Sequence, residues 1–168
     1  MAMIEVLRSG VNTWECDQMG HMNVRHYFAR ANQGLVTLAL ELGLPPSLLR
    51  RQGQALRARD QHVRFVRELR PGVSYTLSAG VLHESAERLQ VYEELRSLHD
   101  GEVAASVLSE IELVEGNTGT ALPLPAVVRE RAASLRVQPP TQYAPRGVER
   151  TPPRTAPRRS EALELGLV

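Results

Sequence analysis

Lysine is missing from this 168-residue sequence, in which all 20 basic residues are arginine. Its absence excludes a lysine Schiff base and the phosphate-binding loop that depends on a lysine. Cysteine occurs once, as Cys16, which excludes an intrachain disulfide and a zinc centre built from several cysteines. The chain also has no apolar run near the roughly 20 residues that cross a bilayer, and no signal-like start. These absences predict a cytoplasmic protein without a membrane partner.

The overall composition is that of a soluble globular protein, with 42% hydrophobic and 23% charged residues. The length allows one domain with a single sizeable core. Residues 1–128 carry 12 arginines and 15 acidic residues, whereas residues 129–168 carry 8 arginines and 4 acidic residues. Eight of the 11 prolines follow Leu122. We therefore expect one domain over residues 1–128 and a Pro/Arg-rich extension over residues 129–168, partly helical or extended.

A long amphipathic helix is predicted directly after Asn23, which is a good N-cap residue. Its apolar positions recur at steps of four, three, four, three and four: Val24, Phe28, Ala31, Leu35, Leu38 and Leu42. Gly43 and the two prolines that follow it are typical of a helix C-terminus. We expect the helix to end near Gly43 and the segment Leu48–Gly53 to be a connection.

Strand-like segments make up most of the rest of the domain. They are Met3–Val11, Leu56–Leu69, Val73–Ser85, Arg88–His99 and Glu102–Glu115. The pair Asp100-Gly101 favours a tight hairpin between the last two. With the helix this gives the order β-α-β-β-β-β, which predicts an α+β fold: an antiparallel sheet with the long helix on one face and the other face exposed. A short helix is also expected within Pro125–Val137.

The densest group of reactive side chains lies in the segment Trp14–Asn23, immediately before the predicted helix. The first backbone N–H groups of a helix have no intrahelical acceptor and form the positive end of its dipole. This position suits attack on a carbonyl, because the helix N-terminus stabilises the developing negative charge. Asp17 is the candidate nucleophile, or the candidate base that activates water.

The segment Asp17–Tyr27, DQMGHMNVRHY, resembles the signature of hotdog-fold acyl-CoA thioesterases related to 4-hydroxybenzoyl-CoA thioesterase. The segment His62–Gly72 resembles the second strand and turn of that family, and Asp100–Ala105 resembles its last hairpin. The resemblance implies a hotdog fold over residues 1–128, in which a five-stranded antiparallel sheet wraps around one long helix. It also implies hydrolysis of a small or medium acyl-CoA to free acid and CoA.

The resemblance also implies catalytic roles for four residues. Asp17 corresponds to the catalytic carboxylate, and the backbone N–H of Val24 to the group that faces the thioester oxygen. His21 and Asn23 resemble polar residues that help to activate water in fatty acyl carrier-protein thioesterases. How these three side chains divide the work is left open.

Further residues are candidate substrate contacts. By the same resemblance Gly20 would allow close approach of the loop. Tyr27 would belong to the core or line the pocket, and Arg64 and Arg67, or the arginines of the extension, would contact the phosphates of CoA. Coenzyme A is then part of the substrate, and no other cofactor is expected. The spacing of His21 and His26 fits no zinc motif, so no metal is expected. Because hotdog sheets pair across protomers, the resemblance implies a homodimer or homotetramer.

Other interpretations of the same residues remain. Asp17 and Asn23 also suit loop and helix capping. A hotdog dehydratase or hydratase acting on a 3-hydroxyacyl thioester would use His21. A non-catalytic binder of acyl thioesters would use neither Asp17 nor His21 as a catalytic group. Binding of nucleic acid through residues 129–168 is not expected, because the body is net negative and aromatic residues are scarce in the extension. Cys16 is not expected to be a nucleophile with His21 as its base. Adjacent residues of an extended loop point to opposite sides, so Cys16 and Asp17 cannot both face one substrate.

Overall fold

One antiparallel sheet curved around one long helix forms most of residues 3–138, the part of the chain that the computed structural model describes. The elements in order are β1 (Ile4–Gly10), a 3₁₀ turn (Thr13–Glu15), α1 (Val24–Glu41), α2 (Pro46–Arg51), β2 (Gln54–Phe65), β3 (Ser74–Glu84), β4 (Arg88–Ser97), β5 (Val103–Glu115), β6 (Ala121–Leu122) and α3 (Ala126–Ser134). The predicted α+β class, the five long strands and the single long helix are confirmed.

The five long strands lie in the order β1-β3-β4-β5-β2, with the short β6 paired to β5. Every pairing is antiparallel. Leu77, Leu95 and Ala105 occupy successive positions across the middle of the sheet, and all three are buried in the core. β2 is an edge strand, and its pairing with β5 shifts register between Ala58 and Asp60, which indicates a β-bulge.

The helix α1 begins where the sequence predicts. The side-chain oxygen of Asn23 accepts a hydrogen bond from the N–H of Arg25 at 3.2 Å, and Gly43 adopts φ +84° just beyond the end. Most of the predicted apolar face is buried, since Ala31, Leu38 and Leu42 belong to the core. It differs at the first residue, because Val24 is 53% exposed. The buried residues of α1 also include Tyr27, Gly34 and Ala39.

Gly34 is the point where α1 approaches the sheet most closely. A Cβ atom at this position would lie 2.6 Å from Cδ2 of Leu77 and 2.7 Å from Oε1 of Glu93. Because glycine has no side chain, α1 can pack closely on the sheet with Gly34 facing it. None of the helices within residues 3–138 is long and apolar enough to span a membrane.

Two predicted boundaries are wrong. The expected connection Leu48–Gly53 is partly occupied by α2, which starts at Pro46 because proline suits the first turn of a helix. β2 starts at Gln54 and stops at Phe65 instead of Leu69. It stops because the N–H groups of Val66 and Arg67 both donate to the carbonyl oxygen of Ala104, at 2.8 and 3.0 Å, which interrupts the ladder.

The predicted short helix is present as α3, and it crosses residue 128, the expected end of the domain. Val128 and Ala132 belong to the core, and Val137 packs on Gly80. The backbone of Leu135 and Val137 pairs with Val81 of β3, just beyond the N-terminal end of β1. The body of the fold thus includes residues assigned to the extension. The two-part division of the chain stays a prediction, and residues 139–168 lie outside the described residues.

The sheet face opposite α1 is less exposed than predicted. Tyr92, Glu94 and Glu112 on this face are all buried. Arg57 donates to Glu112 at 2.5 Å, and Arg96 donates to Glu94 at 2.9 Å. Paired arginine side chains cover buried carboxylates here, because their aliphatic stems lie along apolar surface while the guanidinium groups reach a partner.

Candidate active site

The loop before α1 folds back on itself. The N–H of Asp17 donates to the carbonyl oxygen of His21 at 3.2 Å, and the N–H of Gly20 donates to the carbonyl oxygen of Asp17 at 3.0 Å. Gly20 adopts φ +79°, a conformation that favours glycine, and a Cβ there would meet no atom within 4 Å. A bridge between Cys16 and Met22 closes the turn. Gly20 thus serves the turn, which holds Asp17 beside the start of α1.

The carboxylate of Asp17 accepts two hydrogen bonds. Oδ1 accepts from the N–H of Met19 at 2.9 Å, and Oδ2 accepts from Nδ2 of Asn23 at 3.1 Å. The bond from Met19, followed by the bond from Asn23, lowers the pKa of Asp17 below its usual range, against the opposing effect of desolvation. Asp17 is therefore ionised at neutral pH, as a nucleophile or general base must be.

Asn23 connects this carboxylate to the helix. Its Oδ1 caps the N–H of Arg25, while its Nδ2 donates to Asp17. The next residue, Val24, is the first of α1, where a backbone N–H has no acceptor within the helix. Among the described residues, the Val24 N–H has no hydrogen-bond partner. An unpaired N–H at the positive end of a helix dipole thus lies one residue from the amide that holds Asp17.

A cavity of about 270 Å³, here called the Val24 cavity, is lined in part by this residue. Its lining includes His21, Val24, Tyr27, Phe65 and Arg67. The rings of Tyr27 and Phe65 meet edge to face with centroids 5.1 Å apart. Burial raises the pKa of Tyr27 to about 12, so its hydroxyl stays protonated at neutral pH. Tyr27 forms a wall of the cavity, and its contact with a substrate stays a prediction.

Four of the predicted site residues lie outside the lining of the Val24 cavity: Asp17, Gly20, Asn23 and Arg64. The link between Asp17 and the cavity is indirect. Asp17 accepts a hydrogen bond from the side chain of Asn23, and the next residue, Val24, lines the cavity. Arg64 pairs in the ladder with Ser106, between Val63 and Phe65, which face α1. Strand alternation therefore places Arg64 on the opposite face of the sheet. The arginine that lines the cavity is Arg67, and the role of Arg64 in binding CoA stays a prediction.

A buried network beneath the loop is missing from the sequence-based prediction. The side chain of Glu15 is 4% exposed and accepts hydrogen bonds from the N–H of Asn12 at 2.8 Å and from Nη2 of Arg30 at 2.5 Å. The carbonyl oxygen of Glu15 accepts the N–H of Asn23 at 2.9 Å. Glu15 and Arg30 lie 15 positions apart, a spacing that no sequence motif marks. The pair anchors the loop to α1.

The remaining titratable groups near the loop form pairs rather than a metal centre. Nε2 of His21 lies 3.6 Å from Oε1 of Glu68, and Nδ1 of His26 lies 3.6 Å from Oε1 of Glu15. Within residues 3–138, no group of three or more His, Cys, Asp or Glu residues could hold a metal ion. Partial burial and the neighbouring carboxylates raise the pKa of Cys16, which disfavours a thiolate nucleophile.

Comparisons with known proteins agree with this architecture. The sequence model of the thioesterase-like superfamily matches residues 11–132. A hypothetical protein from Staphylococcus aureus, solved in complex with CoA, is 17% identical, with a TM-score of 0.73 over 84% of this chain and 94% of that one. A search of curated proteins gave no significant match.

Two further solved structures carry thioesterase names. A 1,4-dihydroxy-2-naphthoyl-CoA thioesterase from Synechocystis is 14% identical, with a TM-score of 0.67 over 77% of this chain and 95% of that one. A DHNA-CoA thioesterase from Staphylococcus aureus is 18% identical, with a TM-score of 0.66 over 70% of this chain and 78% of that one. At these identities the similarity concerns the fold, and the predicted hotdog fold is confirmed.

Proposed function

The chain belongs to the thioesterase-like superfamily and is a thioester hydrolase, and on that premise we propose that it hydrolyses a small or medium acyl-CoA to free acid and CoA. The observation that carries this proposal is the unpaired N–H of Val24 beside a cavity, one residue from the amide that binds ionised Asp17. This combination supplies an electrostatic partner for a carbonyl oxygen and a carboxylate that is ready to react.

In the proposed reaction, the thioester oxygen accepts the Val24 N–H, and the helix dipole stabilises the negative charge that develops there. Asp17 either attacks the carbonyl carbon directly or removes a proton from an attacking water. Direct attack expels the CoA thiolate and leaves a mixed anhydride, which water hydrolyses to release the acid. In the second route, water attacks the carbonyl carbon and the CoA thiolate leaves, which gives the acid without a covalent intermediate on Asp17. Asn23 orients Asp17 in both cases, and His21 lines the same cavity.

CoA is proposed as the carrier because a similar fold has been solved in complex with CoA and two others carry acyl-CoA thioesterase names. The proposal needs no cofactor besides the CoA of the substrate. It includes a homodimer or homotetramer in the cytoplasm, with no nucleic-acid partner. A dehydratase or a non-catalytic binder of acyl thioesters would keep the fold but would not use Asp17 to release thiol.

The decisive experiment measures thiol release from a panel of short, medium and aromatic acyl-CoAs by the wild type and by Asp17→Asn. We expect wild-type turnover and a loss of about a hundredfold or more in the variant, the scale of a catalytic carboxylate. Asp100→Asn is the control, because Asp100 is an exposed turn aspartate whose carboxylate, like that of Asp17, accepts a backbone N–H, here from Glu102 at 3.1 Å. It should retain activity.

Three outcomes would contradict the proposal. Unchanged thiol release in Asp17→Asn would remove Asp17 from the reaction. A change in enoyl absorbance without thiol release would indicate dehydration or hydration of the acyl group. Binding of acyl-CoA without either reaction would indicate a non-catalytic binder.

A further inference from the structure

Glu15 connects both ends of the loop before α1 to the helix itself. Its carboxylate oxygen Oε2 accepts the N–H of Asn12 at 2.8 Å, near the start of the loop. The other carboxylate oxygen, Oε1, accepts Nη2 of Arg30 at 2.5 Å, in the second turn of α1. The carbonyl oxygen of Glu15 accepts the N–H of Asn23 at 2.9 Å, at the end of the loop. One residue thus fixes where the loop begins and where it ends.

The carboxylate of Glu15 faces two basic side chains of α1. The Glu15 side chain is 4% exposed and that of its partner Arg30 is 21% exposed. Nδ1 of His26 lies 3.6 Å from the same oxygen, Oε1. Because Nε of Arg25 donates to Nε2 of His26 at 3.0 Å, a neutral His26 carries its proton on Nδ1, toward Glu15. Removal of a partner from a buried ion pair leaves the other charge uncompensated, so this carboxylate depends on Arg30.

The effect of this pair on the candidate site passes through Asn23. Neither Glu15 nor Arg30 is among the described residues that line the Val24 cavity, so neither is placed to touch a substrate there. Glu15 holds the backbone of Asn23, and the side chain of Asn23 donates to Asp17 at 3.1 Å. The backbone of the cap residue sets both where its amide points and where the first N–H of α1 lies. The position of the Asp17 carboxylate relative to that N–H therefore depends on Glu15.

We propose that the Glu15–Arg30 ion pair is a positioning unit for hydrolysis, which holds Asn23, and through it Asp17, in the geometry that reacts with a thioester at Val24. This inference rests on the proposed function and adds two positioning residues to it. A reacting constellation must be held within about 0.5 Å of its productive geometry. A displacement of roughly 1 Å can lower the rate about a hundredfold.

The first test replaces Arg30 by methionine, which removes the cation and keeps a long aliphatic side chain. For the acyl-CoA with the highest turnover, Arg30→Met should lower kcat by about ten- to a hundredfold. KM should stay near the wild-type value, because the lining of the Val24 cavity is unchanged. The bond from Asn23 lowers the pKa of Asp17, so its weakening should move the acidic limb of kcat/KM to higher pH. His21, the titratable side chain whose charge also acts on Asp17, is retained in the variant.

Arg57→Met is the matched control. Nη2 of Arg57 also lies 2.5 Å from a buried glutamate, Glu112, whose side chain is 2% exposed. Glu112 has a second basic neighbour as Glu15 has, since Nη1 of Arg59 lies 3.9 Å from its carboxylate. This pair lies on the sheet face opposite α1. Arg57→Met should therefore lower the free energy of unfolding, as Arg30→Met does, but keep the wild-type kcat and pH profile.

Two further variants test the route of the effect. Arg30→Lys keeps a cation opposite Glu15, and its kcat should lie between those of Arg30→Met and the wild type. In Asn23→Ser, which lacks the donor to Asp17, the addition of Arg30→Met should shift the acidic limb no further. Where circular dichroism shows that Arg30→Met does not fold, Glu15→Gln takes its place with the same expectations, because it removes the charge and keeps the shape of the side chain.

Three results would overturn the inference while leaving the proposed function intact. They are a wild-type kcat and acidic limb in folded Arg30→Met, an equal loss of kcat in Arg57→Met, and a further shift of the limb in the double variant. If no acyl-CoA is hydrolysed, the proposed function fails, and NMR titration of the carboxyl carbon of Asp17 tests the positioning without catalysis. Arg30→Met should then raise the pKa of Asp17, whereas Arg57→Met should not. An equal pKa in all three proteins would overturn the inference as well.

Discussion

Asn23 is the residue on which the candidate site depends most. One side chain caps α1 through its oxygen and holds the Asp17 carboxylate through its nitrogen. Its own backbone N–H is held by Glu15, which is in turn paired with Arg30. Capping and catalysis are therefore not competing interpretations of this residue, because the two ends of an amide perform one each.

The two roles can be separated with Asn23→Ser, which keeps a capping oxygen but removes the donor to Asp17. This donor helps to lower the pKa of Asp17, so its loss should raise that pKa. The ionised form then disappears at a higher pH, and the acidic limb of the kcat/KM profile should shift upward relative to the wild type. A pH profile of acyl-CoA hydrolysis checks this, and an unmoved limb in a folded variant would contradict it.

At the scale of elements, the contact between α1 and β4 carries an unusual group. Glu93 is fully buried beneath Gly34, and among the described residues neither of its carboxylate oxygens has a hydrogen-bond partner. Desolvation raises the pKa of Glu93 well above its usual value. The close fit of α1 to the sheet thus leaves room for this side chain but offers it no partner, which costs free energy of folding.

We expect Glu93→Leu to raise the free energy of unfolding at neutral pH by about 1–3 kcal/mol, the cost of an unsatisfied buried polar group. Because the folded pKa lies above the unfolded value of about 4.3, wild-type stability should fall as pH rises from about 4.3 toward the folded pKa. The variant should lack this decline. Urea denaturation across pH measures it, with Glu87→Gln, an exposed glutamate, as the control. Parallel pH curves for wild type and Glu93→Leu would show the idea to be wrong.

At the scale of the whole molecule, large apolar side chains remain exposed on α1 and β2. Val36 and Leu40 of α1 and Phe65 of β2 are each about half exposed. β2 is also an edge of the sheet, paired on one side with β5. Exposed apolar residues beside an unpaired strand edge are typical of a surface that another chain covers. The homo-oligomer expected from the family resemblance would use this surface.

Light scattering after size-exclusion chromatography should show a dimer or tetramer for the wild type. Leu40→Glu places a charge on this surface and should shift the chain toward the monomer, because burying an unpaired carboxylate is unfavourable. Val127→Glu is the matched control, since Val127 is equally exposed but lies on α3. A monomeric wild type, or an unchanged mass for Leu40→Glu, would contradict this assignment.

Features that depend on neighbouring residues could be predicted from the sequence. Asn23 and Gly43 mark the ends of α1 because capping and positive φ are local backbone properties. The strands follow from alternation, and the turn at Gly101, with φ +74°, follows from the Asp-Gly pair. The motif from Asp17 to Tyr27 likewise gathers its residues within one loop and one helical turn.

Contacts between distant parts of the chain were decided only by the tertiary structure. The pairing of Glu15 with Arg30 and the meeting of Gly34 with Glu93 depend on how α1 docks on the sheet, which no local pattern encodes. The same docking places Arg67, rather than Arg64, in the lining of the Val24 cavity. Hydrophobic burial drives the docking without direction, and the packing of particular side chains then sets its angle and depth.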